Sequence, residues 1–219
     1  MQHHLWQLTW DGELCMCPKK NGANRVLDIG TGTGIWAMDY AEEHPEAKVI
    51  GVDLTPIQSG YNMNLATSVP SNCVFEIDDV EKEWTWSAPF DFVFLRHMNS
   101  SFASWEKVIA QAYSRFKDLL VNAGFEEVVE VKRIWPMNGW TKNEKLRELG
   151  SWSQACSLKG CEASALALFT NVLGWTREEV LVFCSGVRRD LNNTGIHAYW
   201  NIYSTFGKKP LKANTSQDE

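Results

Sequence analysis

A glycine-rich turn between a short apolar strand and a helix is the feature that most constrains how this chain can fold. Residues 24–29 (NRVLDI) have the pattern of a buried strand, residues 30–34 (GTGTG) alternate glycine with threonine, and a helical pattern follows over residues 35–43. Glycine has no Cβ and adopts positive φ freely, so it suits a backbone on which a ligand packs directly. The turn therefore predicts a small-molecule site at the end of this strand.

Further strands alternate with helical stretches through the first hundred residues. Two apolar strands, residues 48–53 and 73–77, are each closed by acidic side chains, and a fourth strand covers residues 90–95. Such alternation predicts an α/β fold with a mostly parallel, doubly wound sheet, whose ligands bind beyond the carboxyl ends of the strands. The groups expected to meet at that edge are the glycine turn, Asp53, Asp78 and Asp79.

The spacing of the turn separates three kinds of nucleotide site. A phosphate-binding loop has Lys and Ser or Thr after its last glycine, but here Ile35 and Trp36 follow Gly34. A nicotinamide site spaces its glycines as GxGxxG, whereas here the third glycine comes one residue earlier. Asp53 lies about 20 residues beyond the turn, where a carboxylate accepts hydrogen bonds from ribose hydroxyls. The pattern therefore argues against an ATP or GTP site and against a nicotinamide site, and it favours a functional site over a simple tight turn.

The second half of the chain is dominated by helical patterns. A stripe of apolar residues at steps of three and four predicts one helix over residues 104–123. The motif Thr176-Arg177-Glu178-Glu179 is a capping box that opens a helix extending to about residue 192. The other expected elements are a strand over residues 126–134 that Pro136 ends, a helix over residues 162–173, and a last strand over residues 197–206.

Charge and cysteine usage exclude several classes of partner. The formal net charge of -6 argues against general binding to nucleic acid, which needs clustered Lys and Arg. The six cysteines include no CxxC pair and no zinc-type Cys/His spacing, so free thiols and no metal are expected. Without a leader pattern or an apolar run of roughly 20 residues, no membrane partner is expected. The expected location is the cytoplasm, with the nucleus as the alternative.

Four blocks of the sequence resemble the fungal LaeA-like methyltransferases. They are residues 3–14 (HHLWQLTWDGEL), 26–58 (VLDIGTGTGIWAMDYAEEHPEAKVIGVDLTPIQ), 69–86 (VPSNCVFEIDDVEKEWTW) and 90–102 (FDFVFLRHMNSSF). The resemblance covers most of the chain and implies a Rossmann-like class I methyltransferase fold. It also implies S-adenosylmethionine as cofactor, S-adenosylhomocysteine as product, and a place in fungal secondary metabolism, either as a biosynthetic enzyme or as a regulator.

The same resemblance assigns residues to the cofactor. It implies that the three glycines of the turn line the methionine end, that Asp53 holds the ribose, and that Asp79 and Val80 flank the adenine. The full set of implied cofactor-binding residues is Asp28, Gly30, Thr31, Gly32, Gly34, Asp53, Leu54, Asp78, Asp79, Val80 and Arg96.

The chain departs from the LaeA-like pattern after its fourth strand. In that family a Pro-Gly-Gly turn and a fifth strand follow, whereas here residues 112–117 lead directly into residues 118–125, so one central strand is missing. The two helices that flank the lost strand can fuse into the helix at residues 104–123, about 30 Å long at 1.5 Å per residue. The last strand can then slide beside the fourth. Otherwise the fourth strand keeps an exposed edge.

Methyl transfer needs a well-positioned acceptor but no fixed catalytic residue. His97, just past the fourth strand, is the candidate general base for a hydroxyl acceptor, or a histidine that packs at the strand end. Arg96 either binds an acidic substrate or pairs with a neighbouring carboxylate.

Three functions are open for such a chain. The first is a methyltransferase that acts on a small molecule or a protein partner; the second is a regulatory or interaction protein without methyl transfer; the third is a scaffold recruited for a non-methyl step such as cyclisation. The missing strand strengthens the second and third, and a homodimer is open to all of them. We expect a single methyltransferase-like domain over residues 1–210, with a cofactor-binding half at 1–100, a modified substrate half at 101–210, and a disordered tail at 211–219.

Overall fold

A computed structural model describes most of the chain and gives the bounds of its helices and strands. The described residues are 1–56, 69–80, 82, 85–98, 120–121 and 124–210. Within these ranges, no helix has both the length and the apolar character needed to cross a membrane. The elements are α1 (Gln2–Thr9), β1 (Arg25–Ile29), α2 (Ile35–Glu43), β2 (Lys48–Asp53), β3 (Cys73–Ile77), β4 (Phe92–Leu95), β5 (Glu126–Pro136), α3 (Glu144–Leu173), α4 (Arg177–Leu191) and β6 (Tyr199–Lys208).

Four strands form the parallel sheet that the sequence predicts, in the order β3-β2-β1-β4. The central strand β1 ends at Ile29, which lies opposite Val52 of β2 and Leu95 of β4. At the next interface, Asp53 of β2 lies opposite Ile77 of β3. Because all four strands point the same way, their carboxyl ends meet at one edge. The segments that follow β1, β2 and β3 are therefore neighbours.

Apolar residues cover both faces of the sheet, which explains why its strands have nearly continuous apolar runs. On one face, Trp36 and Tyr40 of α2 are no more than 2% exposed and pack in a cluster with the strands. Trp36 also donates a hydrogen bond of 3.1 Å from its ring nitrogen to the carbonyl of Leu14. The core residues of the other face are Leu27, Ile29, Ile50 and Val52.

The chain divides into two compact units, and the sheet belongs to the one that contains Leu14–Glu130 and Ser204–Glu219. The other unit contains Met1–Glu13 and Val131–Tyr203. In this second unit, Trp135 donates from its ring nitrogen to the Thr9 hydroxyl at 2.6 Å. Its two core clusters are built on Leu5, Trp135 and Leu149, and on Ala165, Val180 and Cys184.

The N-terminal helix α1 therefore groups with residues 131–203 and not with the glycine turn. The reason is that the apolar side chains of α1 are buried against β5 and α3. The division into halves at residue 100 stays a prediction. A single domain over residues 1–210 stays a prediction.

The last strand does not lie beside the fourth, so that expectation is wrong. Instead β6 pairs with β5 in a separate two-stranded sheet. The lengths of the strands give the reason: β5 has 11 residues and β6 has 10, whereas β4 has only 4. A long partner satisfies more backbone hydrogen-bonding groups than a short one. Among the described residues, β4 pairs with β1 alone.

The sequence patterns located several elements correctly. The predicted bounds of α2, β2 and β3 are confirmed, and the capping box forms, with Thr176 and Glu179 exchanging hydrogen bonds. Helix α3 begins at Glu144, well before the predicted start at residue 162. Most of the helix expected at residues 104–123 and all of the tail at 211–219 lie outside the described residues.

We expect Trp36→Ala to lower the free energy of unfolding by about 3–5 kcal/mol, since it removes a buried indole and leaves a cavity beneath α2. The neighbouring Ile35 is 40% exposed, so Ile35→Ala serves as the matched control and should cost less than about 1 kcal/mol. Urea denaturation followed by circular dichroism measures both values. Equal effects of the two substitutions would contradict the central position of Trp36 in this core.

Candidate functional site

The glycine turn that connects β1 to α2 is held against the end of β2. The amides of Gly30 and Thr31 donate to the carbonyl of Val52 at 2.9 and 3.0 Å. Gly30, Gly32 and Gly34 have φ values of +67°, +57° and +80°. These values lie in the left-handed region, which favours glycine. The turn therefore needs glycine for its backbone shape as well as for any ligand.

The carboxylate of Asp53 links the turn to the end of β2. Its Oδ2 atom accepts a hydrogen bond of 2.9 Å from the amide of Gly32. Its Oδ1 atom accepts from the amide and the hydroxyl of Thr55, both at 3.2 Å. A carboxylate offers about four acceptor positions, and the half-buried Asp53 uses three in these bonds. Counting the bonds to described residues, one acceptor position is therefore left for a donor outside the turn.

The three glycines of the turn face different surroundings. A Cβ on Gly30 would collide with the thioether of Met98, and a Cβ on Gly34 would collide with the ring of Phe75. A Cβ on Gly32 would meet no atom of the described residues within 4 Å. Gly30 and Gly34 are thus enclosed by the protein's own side chains, whereas Gly32 borders open space. Gly32 is the position of the turn that a ligand can approach.

Asp28 lies beneath the turn and is only 3% exposed. Its Oδ2 atom accepts a hydrogen bond of 2.6 Å from the Thr31 hydroxyl. Burial raises the pKa of Asp28 to about 7, although the Thr31 hydrogen bond and the positive charge of Arg96 oppose the shift. The carboxyl is therefore close to half protonated at neutral pH. Its position supports the turn from below, and a direct contact with the cofactor stays a prediction.

The acidic residues after β3 lie next to Asp53. The amide of Asp78 donates to the carbonyl of Asp53 at 3.2 Å, and the amide of Asp79 donates to the Asp78 carboxylate at 2.7 Å. Val80 packs against the core of the sheet face formed by Leu27 and its neighbours. Leu54 is 64% exposed. In the described part of the chain, no three His, Cys, Asp or Glu residues cluster in a way that could hold a metal ion.

Arg96 and His97 follow the end of β4. Burial lowers the pKa of Arg96, and the carboxylates of Asp28 and Asp39 act in the opposite direction. Partial desolvation, together with the charge of Arg96, lowers the pKa of His97. His97 also has φ of +61°, which is unusual for a residue with a side chain and is found more often at functional sites. The catalytic role of His97 stays a prediction.

The structure brings the turn, Asp53 and Asp78 together at one edge of the sheet, as the sequence analysis expected. The sequence analysis missed Phe75 and Met98, which enclose the two outer glycines. Gly51 carried a signal for the first of these, because a glycine inside a strand often marks a close approach by another group. A Cβ on Gly51 would lie 2.7 Å from the ring of Phe75.

Several known proteins are similar to this chain. A family profile described as a methyltransferase domain matches residues 4–148. Methyltransferase pytC of Aspergillus terreus is 30% identical over 263 residues, which cover 96% of this chain and 79% of pytC. The secondary metabolism regulator LAE1 of Cochliobolus heterostrophus is 26% identical over 267 residues, which cover 95% of this chain and 85% of LAE1. Among solved structures, coclaurine N-methyltransferase bound to N-methylheliamine and S-adenosylhomocysteine has a TM-score of 0.46 and 14% identity, over 93% of this chain and 72% of that chain.

Both sequence alignments are longer than the chain itself. They extend over 263 and 267 residues, whereas the chain has 219. Both relatives therefore carry residues, within the aligned region, that this chain lacks. The position of these missing residues after the fourth strand stays a prediction.

The raised pKa of Asp28 predicts how stability depends on pH. The folded protein keeps a proton that the unfolded chain, with an aspartate pKa of about 3.9, has already released. The contribution of Asp28 to stability is therefore fully present below about pH 4 and is lost as the pH rises through about 7. Between pH 5.5 and 8 this group alone lowers the free energy of unfolding by about 2 kcal/mol.

We expect Asp28→Asn to remove that loss, because the amide keeps an acceptor for Thr31 and does not ionise. Urea denaturation of both proteins at pH 5.5 and pH 8 measures the difference. The same decrease in the wild type and the variant would show that Asp28 has no raised pKa.

Proposed function

The chain belongs to the methyltransferase domain family, and from this membership we propose that it binds S-adenosylmethionine at the glycine turn and methylates a small-molecule acceptor of fungal secondary metabolism. S-adenosylmethionine is the cofactor of this family. The observation that carries the proposal is the position of Gly32: a Cβ there would meet no described atom within 4 Å, and the Gly32 amide is bonded to the Asp53 carboxylate. The fungal relatives pytC and LAE1 support the metabolic setting.

The residues at the sheet edge fit an adenosyl cofactor. Gly32 leaves room for a group to pack on the backbone, and Asp53 keeps an acceptor position for a ribose hydroxyl. Asp78 and Asp79 follow the neighbouring strand, where acceptors for the adenine are needed. The absence of a cationic side chain in the turn itself also suits a cofactor without phosphates. We assign Gly32, Asp53 and Asp79 to direct contacts with the nucleoside and methionine portions.

When bound, S-adenosylmethionine supplies an electrophilic methyl group on a sulfonium. The chain must hold the acceptor in line with that group and exclude water. We assign to His97 the removal of the proton from a hydroxyl acceptor. Its lowered pKa favours the neutral imidazole, which is the form that a general base requires. An exposed side chain just after β4 is also open to an incoming acceptor.

The shortened region supports a second candidate function. Residues that both relatives carry are missing from this chain, so groups that position an acceptor in those proteins can be missing as well. In that case the chain would bind cofactor without methyl transfer and serve as a regulatory module, or as a scaffold for another reaction. Formation of S-adenosylhomocysteine with a small-molecule extract of a producing fungus distinguishes these functions. Cofactor binding without product favours the second candidate.

We expect Gly32→Ala to weaken S-adenosylmethionine binding at least 10-fold, about 1.4 kcal/mol, because the new methyl group enters the space assigned to the cofactor. Gly22→Ala is the matched control. Gly22 has φ of +72°, it also borders open space, and it lies away from the turn. Both substitutions therefore add similar backbone strain of about 1 kcal/mol. Isothermal titration calorimetry should give a dissociation constant for Gly22→Ala within about twofold of the wild-type value.

Two results of this titration would contradict the proposal. Absence of S-adenosylmethionine binding by the wild type would exclude the cofactor site. Equal weakening by Gly32→Ala and Gly22→Ala would mean that backbone strain, and not contact with the cofactor, explains the loss.

A further inference from the structure

Helices α3 and α4 pack side by side with a fixed register. Residues 174–176 connect α3 to α4, and because this connection is short the two helices run in opposite directions. The side-chain amide of Gln154 donates to the carbonyl of Leu191 at 2.9 Å. Further along α3, Glu162 forms an ion pair of 2.8 Å with Arg188. As the residue number rises on α3 it falls on α4, as an antiparallel pair requires.

The same register places two cysteines opposite each other. Ala165 of α3 packs with Val180 of α4, and Cys161 and Cys184 lie one turn away on the two helices. Cys161 packs against the cluster that contains the buried Cys184. Small side chains at these positions allow the helix backbones to come close, which a disulfide requires because its Cα atoms are usually within about 7 Å. Both cysteines are free thiols in the structure.

We propose that Cys161 and Cys184 are a covalent modification site, a thiol pair that hydroperoxides oxidise to a disulfide between α3 and α4. The exposure of the two residues sets the order of events. Cys161 is half-buried and open to a small oxidant, whereas Cys184 is 0% exposed. The thiol of Cys161 is therefore the one that meets the peroxide, and Cys184 resolves the product.

The chemistry balances with one peroxide molecule. The Cys161 sulfur attacks one peroxide oxygen, the O–O bond breaks, and the thiol proton leaves with the other oxygen, giving a sulfenic acid and water. The Cys184 sulfur then attacks the sulfenic sulfur, the S–O bond breaks, and a second water leaves with the Cys184 proton. Two thiols are oxidised to one disulfide, and one hydrogen peroxide is reduced to two waters.

Arg188 provides a cation beside the thiol pair. It lies one turn from Cys184 on α4 and is held by Glu162, which follows Cys161 on α3. Burial and the neighbouring Cys161 raise the pKa of Cys184, and the positive charge of Arg188 acts in the opposite direction. Burial raises the pKa of both Cys15 and Cys73 to about 12, so these two thiols stay protonated. Oxidation should therefore select Cys161 over the buried cysteines of the other unit.

Peptide mapping of the full chain tests the proposal directly. The protein is treated with hydrogen peroxide, its free thiols are alkylated, and it is digested with trypsin without reduction. Cys161 and Cys184 fall in separate tryptic peptides, residues 160–177 and 178–188, and Cys156 falls in a third, residues 148–159. We expect the first two peptides to appear as one linked species that reduction separates. Titration should show that free thiols fall from six to four.

Two variants distinguish a disulfide between Cys161 and Cys184 from oxidation of the other cysteines. Cys156→Ser, on the same helix, should leave the linked species unchanged, whereas Cys161→Ser should abolish it. Because Cys161 is half-buried, that substitution should preserve the fold; circular dichroism of the variant checks this. Recovery of Cys161 and Cys184 as alkylated thiols after peroxide treatment would overturn the proposal. So would Cys161 ending as a sulfinic acid, or a disulfide that joins either cysteine to another partner.

Discussion

The geometry of the site depends on the hydrogen bonds that the Asp53 carboxylate accepts. One carboxylate oxygen accepts a hydrogen bond from the Gly32 amide, and the other accepts hydrogen bonds from the amide and the hydroxyl of Thr55. These bonds join the turn after β1 to the segment after β2. The parallel register brings Asp53 to this position, because Ile29 and Val52 lie side by side at the ends of the two strands. A turn fixed by its own protein contacts costs less entropy when a ligand binds. The cofactor surface is thus organised largely before the cofactor arrives.

Two aspartates beside the same turn have different environments. Asp28 is 3% exposed beneath the turn, and burial raises its pKa to about 7. Asp53 is half-buried, and its carboxylate accepts hydrogen bonds from amide and hydroxyl donors. A carboxylate facing ribose hydroxyls must act as an acceptor, whereas a buried carboxyl that supports the backbone need not be ionised. The two carboxyl groups therefore differ both in burial and in the donors that they bind.

The sequence predicted the cofactor half well because its signals are local. Helix α2 and strands β2 and β3 follow from apolar periodicity and from the glycine turn, and all three have the predicted bounds. The predicted length of helix α3 was too short because Gly150 interrupts the helical pattern of its sequence. The structure shows that a Cβ at Gly150 would collide with the carbonyl of Asn138, so packing requires this glycine. Helix α1 gave no signal at all, since Leu5 is buried in a cluster with Trp135 and Leu149, which lie more than a hundred residues away.

The shortened region affects cofactor binding and acceptor binding differently. The assigned cofactor contacts come from the ends of β1, β2 and β3, and these strands pair with each other without help from the far side of β4. The sequence analysis places the lost strand after β4 along the chain, beyond His97. Loss of residues there leaves Gly32, Asp53 and Asp78 held by the same hydrogen bonds. Binding of the cofactor and transfer of its methyl group are therefore separable properties of this fold, and a chain shortened after β4 can keep the first whatever happens to the second.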